Sequence, residues 1–197
     1  MKIIFYGTRD YDHLYFDVLA ADPDYGCTIK FLAANLDPDT AQLAAGGDAV
    51  CAFVNSDCGA ETLSVLAKAG IKLLLMRCAG YNNVDLAAAK ANGITVMRVP
   101  GYSPEAVAEH AMALLVELTR HAGALDMQVK QGDWDGADGF ELFGKKLGII
   151  GLGGIGQTVA GIANAFGMKV SAWNSHVPAQ VFENLNVTPV EDMNELI

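Results

Sequence analysis

The sequence is poor in charged residues and has no long apolar run. Only 18% of its 197 residues are charged, whereas 52% are hydrophobic, a composition that allows a substantial buried core. No uninterrupted apolar segment approaches the length of a membrane span, and Met1 and Lys2 lead directly into a strand-like segment rather than a signal peptide. We therefore expect a soluble, cytoplasmic globular protein of one or two domains, with no membrane partner.

Basic residues are scarce as well. The chain has 13 Lys and Arg against 23 Asp and Glu, which gives a formal net charge of −10. A polyphosphate backbone or an anionic membrane would approach such a chain against a repulsive field. This charge argues against nucleic acid as a partner, although it leaves room for a local anion site.

The four cysteines show no C-x-x-C spacing. They are Cys27, Cys51, Cys58 and Cys78. Zinc sites and dithiol redox pairs use characteristic short spacings, so the sequence predicts no metal site. Reduced thiols in or near the core are the expected state.

The first hundred residues alternate between short apolar runs and helix-like segments. Gly70 and Gly93 are expected to end helices, and Asp37 followed by Pro38 is expected to begin one. Alternation of this kind is typical of a parallel α/β domain, in which ligands bind beyond the carboxyl ends of the strands. The five predicted strands cover residues 3–6, 28–32, 49–53, 73–77 and 95–99.

A G-x-G-x-x-G pattern follows the apolar run 146–150 and precedes a helix-like segment, 155–166. Gly151 would form the tight turn, Gly153 would admit a pyrophosphate close to the backbone, and Gly156 would let the helix pack on the sheet. The pattern alone also fits a plain glycine-rich turn in a chain with 21 glycines. A helix end at Gly167 and a second strand at 168–173 favour a dinucleotide site.

Asn174 stands 18 residues beyond Gly156, where dinucleotide-binding folds usually place an acidic residue that bonds the adenosine ribose. An amide can also bond the 2′-hydroxyl, but it does not repel a 2′-phosphate. NAD is therefore favoured over NADP only moderately. The alternative is an asparagine that serves the turn.

Two predicted strands end in segments that suit a ligand. After the fourth, Ala79 and Gly80 can offer backbone amides to a carboxylate, unless the segment is an ordinary loop. After the fifth, Tyr102 can place a phenol in an interdomain cleft, or simply pack against the next helix. That helix is expected to begin at Ser103 and Pro104. Its apolar face is predicted to consist of Val107, Ala111, Leu114, Leu115 and Leu118.

Segments 77–85, 102–109 and 151–156 together resemble the D-isomer-specific 2-hydroxyacid dehydrogenases, most closely the members that act on D-lactate. The resemblance implies that residues 1–100 are the N-terminal part of a flavodoxin-like parallel-sheet catalytic domain. Residues 101–197 would be an interdomain helix and the N-terminal part of an NAD-binding Rossmann domain, which is therefore incomplete. It also implies hydride transfer between NAD(H) and a small 2-oxo/2-hydroxy acid pair such as pyruvate and D-lactate, in a complete protein that forms a homodimer.

The resemblance assigns roles to particular residues. Ala79 and Gly80 would orient the substrate carboxylate, and Tyr102 would line the substrate pocket. The cofactor would contact Gly151, Gly153, Gly154, Ile155, Gly156, Asn174 and, at the nicotinamide, Val107. Gly154 and Asn174 depart from the family pattern, in which a polar or basic residue and an acid are usual. Both departures bear on cofactor affinity and choice.

The family's catalytic Arg, Glu and His are expected beyond Ile197, so no catalytic residue is assigned within the chain. His13, His110, His121 and His176 are expected to be structural or solvated. Two interpretations remain: a C-terminally truncated part of an oxidoreductase, inactive alone, or a non-catalytic dinucleotide-binding or regulatory remnant.

Overall fold

The computed structural model describes residues 1–196, which form two compact units: the first ends at Tyr102 and the second begins at Ser103. No helix in the described part of the chain is both long and apolar enough to cross a membrane.

The first unit is a five-stranded parallel sheet. Its strand order is β2-β1-β3-β4-β5, the order of the flavodoxin-like fold that the family resemblance implies. Each predicted strand is present with ends within one residue of the prediction. The strands are β1 (Lys2–Tyr6), β2 (Thr28–Leu32), β3 (Ala49–Ala52), β4 (Leu73–Met76) and β5 (Thr95–Arg98); the helices are α1 (Asp10–Ala21), α2 (Ala60–Lys68) and α3 (Leu86–Ala91).

Two glycines end helices as predicted. Gly70 follows α2 with φ +89°, and Gly93 follows α3 with φ +65°. In this left-handed region a side chain would be strained, so glycine allows the chain to reverse into β4 and β5.

The helix expected to begin at Asp37 and Pro38 is absent from the described chain, which instead forms a turn and a short 3-10 helix, Ala41–Ala44. Asp37 and Thr40 exchange hydrogen bonds: the Thr40 N–H donates to Asp37 Oδ1 at 2.7 Å, and the Asp37 N–H donates to Thr40 Oγ1 at 2.9 Å. This reciprocal pair has the geometry of a capping box, so Asp37 acts as the predicted cap, but the turn that follows continues with 3-10 hydrogen bonds rather than as an α-helix. The backbone N–H and the hydroxyl of Thr40 also lower the pKa of Asp37.

The two faces of this sheet are covered unequally. One face contributes fully buried Ile4, Val50 and Leu74 to the main core cluster. On the opposite face Phe5 packs against Phe16 of α1, with ring centroids 4.9 Å apart. Met97 of β5, which points to that second face because its neighbour Val96 packs on the first, is 55% exposed.

The second unit has a three-stranded parallel sheet in the order β6-β7-β8. It corresponds to part of a Rossmann domain, as expected. Its core cluster includes the fully buried Leu152, Ala160 and Ala163. The strands are β6 (Lys146–Ile150), β7 (Lys169–Trp173) and β8 (Thr188–Pro189); the helices are α4 (Pro104–Arg120), α5 (Ala122–Lys130), α6 (Gly154–Ala165) and α7 (Ala179–Asn184).

The apolar face predicted for α4 is only partly buried, since Leu115 packs against the core of this unit but other members of the face do not. Leu114 and Leu118 are 50% and 72% exposed, whereas Ala108, Met112 and Thr119 are buried. The helix carries two apolar stripes one position apart, and the stripe containing Met112 is the one that joins the core of this unit. Leu114 and Leu118 therefore form an exposed apolar stripe.

Candidate functional site

The glycine turn lies between β6 and α6, as predicted. Gly151 has φ +97°, a conformation that favours glycine. A Cβ on Gly156 would overlap the carbonyl oxygen of Gly151, so close packing of α6 requires a glycine there. Gly153 has φ −74°, and a Cβ there would meet nothing within 4 Å. Neither backbone nor packing requires glycine at 153, and the space beside it is open.

The first turn of α6 offers backbone donors to an anion. Gly153 is the N-cap, and no side chain caps the helix. The first intrahelical bond runs from the Gln157 N–H to the Gly153 carbonyl, so the N–H groups of Gly154, Ile155 and Gly156 precede the helical bonding pattern. Such a helix N-terminus suits a phosphate group, and the open space at Gly153 allows one to approach.

The first turn of α4 lies beside this glycine turn. A Cβ on Gly154 would be 3.7 Å from Cβ of Pro104, an ordinary van der Waals distance. Val107 stands one turn further along α4 and is 49% exposed. The structure therefore places Pro104 of α4 beside the glycine turn, with Val107 one turn further along the helix.

Asn174 directly follows β7 and forms part of a turn. Its side-chain carbonyl oxygen accepts a hydrogen bond from the His176 N–H at 3.0 Å. A recess of about 400 Å³ begins at Asn174 and is lined by Val177, Phe182, Thr188 and Val190 among others. The turn role and a ligand role are thus compatible: the amide oxygen holds the turn, and the recess lies beside the residue.

Ala79 and Gly80 lie in the loop that follows β4. Three consecutive carbonyl groups of this loop accept hydrogen bonds. Cys78 O accepts from the Val99 N–H at 3.2 Å, Ala79 O from Arg98 Nη1 at 2.8 Å, and Gly80 O from the Cys78 thiol at 3.2 Å. Gly80 is exposed, and a Cβ there would meet nothing within 4 Å. Burial raises the pKa of the Cys78 thiol, which keeps it protonated as a donor.

Arg77, at the end of the same strand, is a structural brace. Its guanidinium donates to the carbonyl groups of Tyr6 and Gly7 at 2.8 and 2.9 Å and lies 3.9 Å from the Asp12 carboxylate. It also stacks on Phe5, 4.5 Å from the ring centroid. The side chain ties the carboxyl ends of β1 and β4 together and is largely buried.

Two further polar residues of this segment bind the backbone of the same unit. Asp85 accepts a hydrogen bond from the Ala88 N–H at 2.9 Å and so caps α3. The Asn83 side chain donates to the carbonyl groups of Phe53 and Ser56. Both side chains are engaged in hydrogen bonds to the backbone of their own unit.

Tyr102 closes the first unit and is 67% exposed. Ser103, next in the chain, accepts a hydrogen bond from the Ala106 N–H at 3.4 Å and caps α4, with Pro104 at the first helical position, as predicted. The Tyr102 phenol makes no hydrogen bond within residues 1–196.

The histidines occupy structural or exposed positions. His13 lies 3.1 Å from Asp17 on the surface of α1 and packs on Phe31. His121 forms the left-handed C-cap of α4, with φ +55°, while His110 and His176 are exposed. Among residues 1–196 no histidine forms an ion pair with a glutamate.

Comparison with known proteins identifies relatives of this chain in sequence and in structure. A family model described as D-isomer specific 2-hydroxyacid dehydrogenase, catalytic domain, matches residues 6–186. D-lactate dehydrogenase of Escherichia coli is 39% identical over 185 residues, which are 93% of this chain and 56% of that protein. The chain thus spans just over half the length of this relative.

Solved structures agree with the sequence match. The apo-structure of the Escherichia coli enzyme superposes with a TM-score of 0.87 over 97% of this chain and 60% of that one, at 38% identity. The pyruvate reductase of Chlamydomonas reinhardtii gives 0.85 at 39% identity, over 100% and 57% of the two chains. D-lactate dehydrogenase of Aquifex aeolicus, complexed with NAD and lactic acid, gives 0.77 at 25% identity, over 95% and 55%. The chain belongs to the D-isomer-specific 2-hydroxyacid dehydrogenase family.

Proposed function

We propose that the complete protein is an NAD-dependent dehydrogenase that interconverts a small 2-oxo acid and its D-2-hydroxy acid, with pyruvate and D-lactate as the preferred pair. The observation that carries this proposal is the glycine turn. Gly151 and Gly156 are required by conformation and packing, whereas Gly153 is required by neither and leaves space before the N-terminus of α6. A phosphate-bearing ligand explains why glycine stands at 153.

The cofactor assignment follows from the second unit. Backbone N–H groups of Gly154, Ile155 and Gly156 would hold the pyrophosphate, and the recess beside Asn174 would receive the adenosine end. Val107 would pack near the nicotinamide. NAD(H) supplies or accepts the hydride when bound. The complex of the Aquifex aeolicus relative with NAD supports this choice of cofactor.

The substrate assignment rests on the first unit. Ala79 and Gly80 would bind the substrate carboxylate through their backbone N–H groups, and the exposed phenol of Tyr102 would line the pocket. Backbone amides recognise a carboxylate without a fixed positive charge. The names of the relatives, D-lactate dehydrogenase and pyruvate reductase, support pyruvate as the 2-oxo acid.

Polarising the substrate carbonyl and moving its proton require residues that we place beyond Ile197, namely the family's Arg, Glu and His. Within residues 1–196 the histidines are a helix cap, a partner of Asp17 or solvent-exposed side chains. General acid–base catalysis needs a titratable group within hydrogen-bond reach of the reacting atom. We therefore propose that the 197-residue chain alone does not turn over.

A homodimer is the proposed assembly of the complete protein. Leu114 and Leu118 on α4 expose an apolar stripe on the cofactor-binding unit, at 50% and 72% exposure. Contiguous apolar surface of this kind marks an association surface. A small 2-oxo or 2-hydroxy acid is the other proposed partner, and the cytoplasm is the proposed location.

We propose one alternative function for the 197-residue chain by itself. The chain would be a dinucleotide-binding protein without catalytic activity, an interpretation favoured by the absence of any His–Glu ion pair among residues 1–196. The two proposals differ in whether a longer protein that contains this chain catalyses the reaction.

Reduction of pyruvate by NADH separates them. The 197-residue chain should show no activity, whereas a protein extended through the expected Arg, Glu and His should reduce pyruvate. Turnover by the short chain would contradict the placement of the catalytic residues, and silence of the extended protein with several small 2-oxo acids would contradict the dehydrogenase proposal.

A further inference from the structure

The loop that carries Ala79 and Gly80 is held by hydrogen bonds to its carbonyl groups. Cys78 O accepts from the Val99 N–H, Ala79 O from the Arg98 guanidinium, and Gly80 O from the Cys78 thiol. Three consecutive carbonyl oxygens are thus satisfied by the protein. Two of the three donors come from the end of β5 and the residue that follows it, which lie beside this loop in the first unit.

The positions of these carbonyl groups determine where the amide groups point. No peptide bond among the described residues is cis, so in each peptide unit the N–H points opposite to the C=O. With the carbonyl groups of Cys78, Ala79 and Gly80 turned toward protein donors, the N–H groups of Ala79, Gly80 and Tyr81 turn away from them. Within residues 1–196 none of these three N–H groups donates a hydrogen bond.

Arg98 makes two contacts with this loop. Its Nη1 donates to Ala79 O at 2.8 Å, and its Cζ lies 5.1 Å from the centroid of the Tyr81 ring. The planar guanidinium can bond a carbonyl in its plane while a ring packs on its face, which a lysine ammonium cannot do. Because Ala79 O belongs to the same peptide unit as the Gly80 N–H, the Arg98 bond fixes the direction of that N–H.

We infer that Arg98 is a positioning residue for carboxylate recognition, which holds the Ala79–Gly80 peptide so that its N–H faces the substrate, and that the Cys78 thiol does the same for the Gly80–Tyr81 peptide. This inference rests on the proposed function for the identity of the carboxylate. Arg98 acts through the backbone, and its charge is secondary.

A substitution can distinguish this positioning role of Arg98 from simple electrostatic attraction of an anion. An electrostatic role would be preserved by Arg98→Lys, because the charge remains. A positioning role would not be, because lysine loses the planar contact with Tyr81 while it bonds the carbonyl. Lys90, an exposed cation on α3 in the same unit, offers a matched control for loss of charge.

The first arm of the experiment needs no substrate. Amide hydrogen exchange and ¹⁵N relaxation of Ala79, Gly80 and Tyr81 are compared between the wild-type chain and its variants. Arg98→Met should raise the mobility of the Gly80 amide, and Cys78→Ala that of Tyr81, while Cys78→Ser restores the latter by keeping a donor. Unchanged signals from β1 and β3 show that the variants remain folded. If the Gly80 amide of the folded Arg98→Met variant is as well ordered as that of the wild type, the inference is overturned.

The second arm uses the complete protein with pyruvate and NADH. Arg98→Met should raise KM for pyruvate about tenfold and leave KM for NADH unchanged, because one pre-ordered donor to the carboxylate is lost. Arg98→Lys should recover less than half of this loss, and Lys90→Met should behave as the wild type. Full recovery by lysine overturns the positioning role in favour of a charge role. An inactive wild-type protein contradicts the proposed function, and the first arm then decides the inference alone.

Discussion

The side-chain carbonyl oxygen of Asn174 accepts a hydrogen bond from the backbone N–H of His176 at 3.0 Å. One of the two lone pairs of that oxygen is therefore used in the turn after β7, whereas the side-chain NH₂ group makes no hydrogen bond within residues 1–196. An NH₂ group donates to a 2′-phosphate as readily as to a ribose oxygen. Asn174 thus gives little basis for rejecting NADP.

Asn174→Asp should sharpen the preference for NADH in the complete protein. One carboxylate oxygen can keep the bond from His176, while the other accepts from the ribose 2′-hydroxyl and repels a 2′-phosphate. We expect the ratio of the NADPH to the NADH dissociation constant to rise about tenfold or more, equivalent to about 1.4 kcal/mol. Titration of both cofactors, followed by fluorescence, measures it. An unchanged ratio would mean that residue 174 does not meet the ribose.

Gly153 and Gly156 allow a paired test of the phosphate turn. Gly153→Val should leave the fold intact, because the backbone there is ordinary and a Cβ would meet no protein atom within 4 Å, yet it should weaken the binding of NADH and NADPH alike. Gly156→Ala should destabilise the second unit by about 1–3 kcal/mol, because its Cβ would overlap the Gly151 carbonyl. Urea denaturation and cofactor titration of both variants check this. Undiminished binding by Gly153→Val contradicts the assigned site.

How far the sequence predicts this molecule depends on which interactions are local. The strands, the helix ends at Gly70 and Gly93 and the roles of Gly151 and Gly156 follow from apolar runs and backbone conformation, both of which are local properties. The buried face of α4 does not follow from local properties. Two apolar stripes lie one position apart on this helix, and contacts within the folded unit determine which of them is buried.

The loop after β4 shows the same limit. Small residues at 79 and 80 indicate exposed amides, but the bond from Arg98 joins residues 19 positions apart, and no spacing rule in the sequence points to it. Arg77 shows the same limit, because its bonds to the carbonyl groups of Tyr6 and Gly7 join residues 70 or more positions apart.

Arg77→Met should lower the free energy of unfolding of the first unit by about 1–3 kcal/mol, because the carbonyl groups of Tyr6 and Gly7 would lose their donors in a partly buried position. Lys90→Met, which removes an exposed cation from the same unit, should change it by less than about 0.5 kcal/mol. Equal effects of the two variants in urea denaturation would contradict the role of Arg77 as a brace.

Two buried thiols should make stability fall at alkaline pH. Burial raises the pKa of Cys51 to about 11 and that of Cys58 to about 12, from an ordinary value of 9.0. As the pH rises above the ordinary value, the unfolded chain loses these protons while the folded chain keeps them, so folding becomes less favourable. Full stabilisation is thus present below about pH 9 and declines above it.

Urea denaturation between about pH 8 and pH 11 tests this in the 197-residue chain. The double variant Cys51→Ala, Cys58→Ala should be less stable at neutral pH, because it leaves cavities, but its stability should fall less steeply as the pH rises. A wild-type chain and a double variant with parallel pH profiles would refute the buried-thiol account.

The chirality of the product tests the central claim most directly. The complete protein, supplied with pyruvate and NADH, should form D-lactate, which an enantiomer-specific assay distinguishes from L-lactate. Formation of D-lactate is the result predicted by the family membership, the glycine turn and the amide loop together. Formation of L-lactate, or no reduction of pyruvate or any other small 2-oxo acid by a folded complete protein, would contradict it.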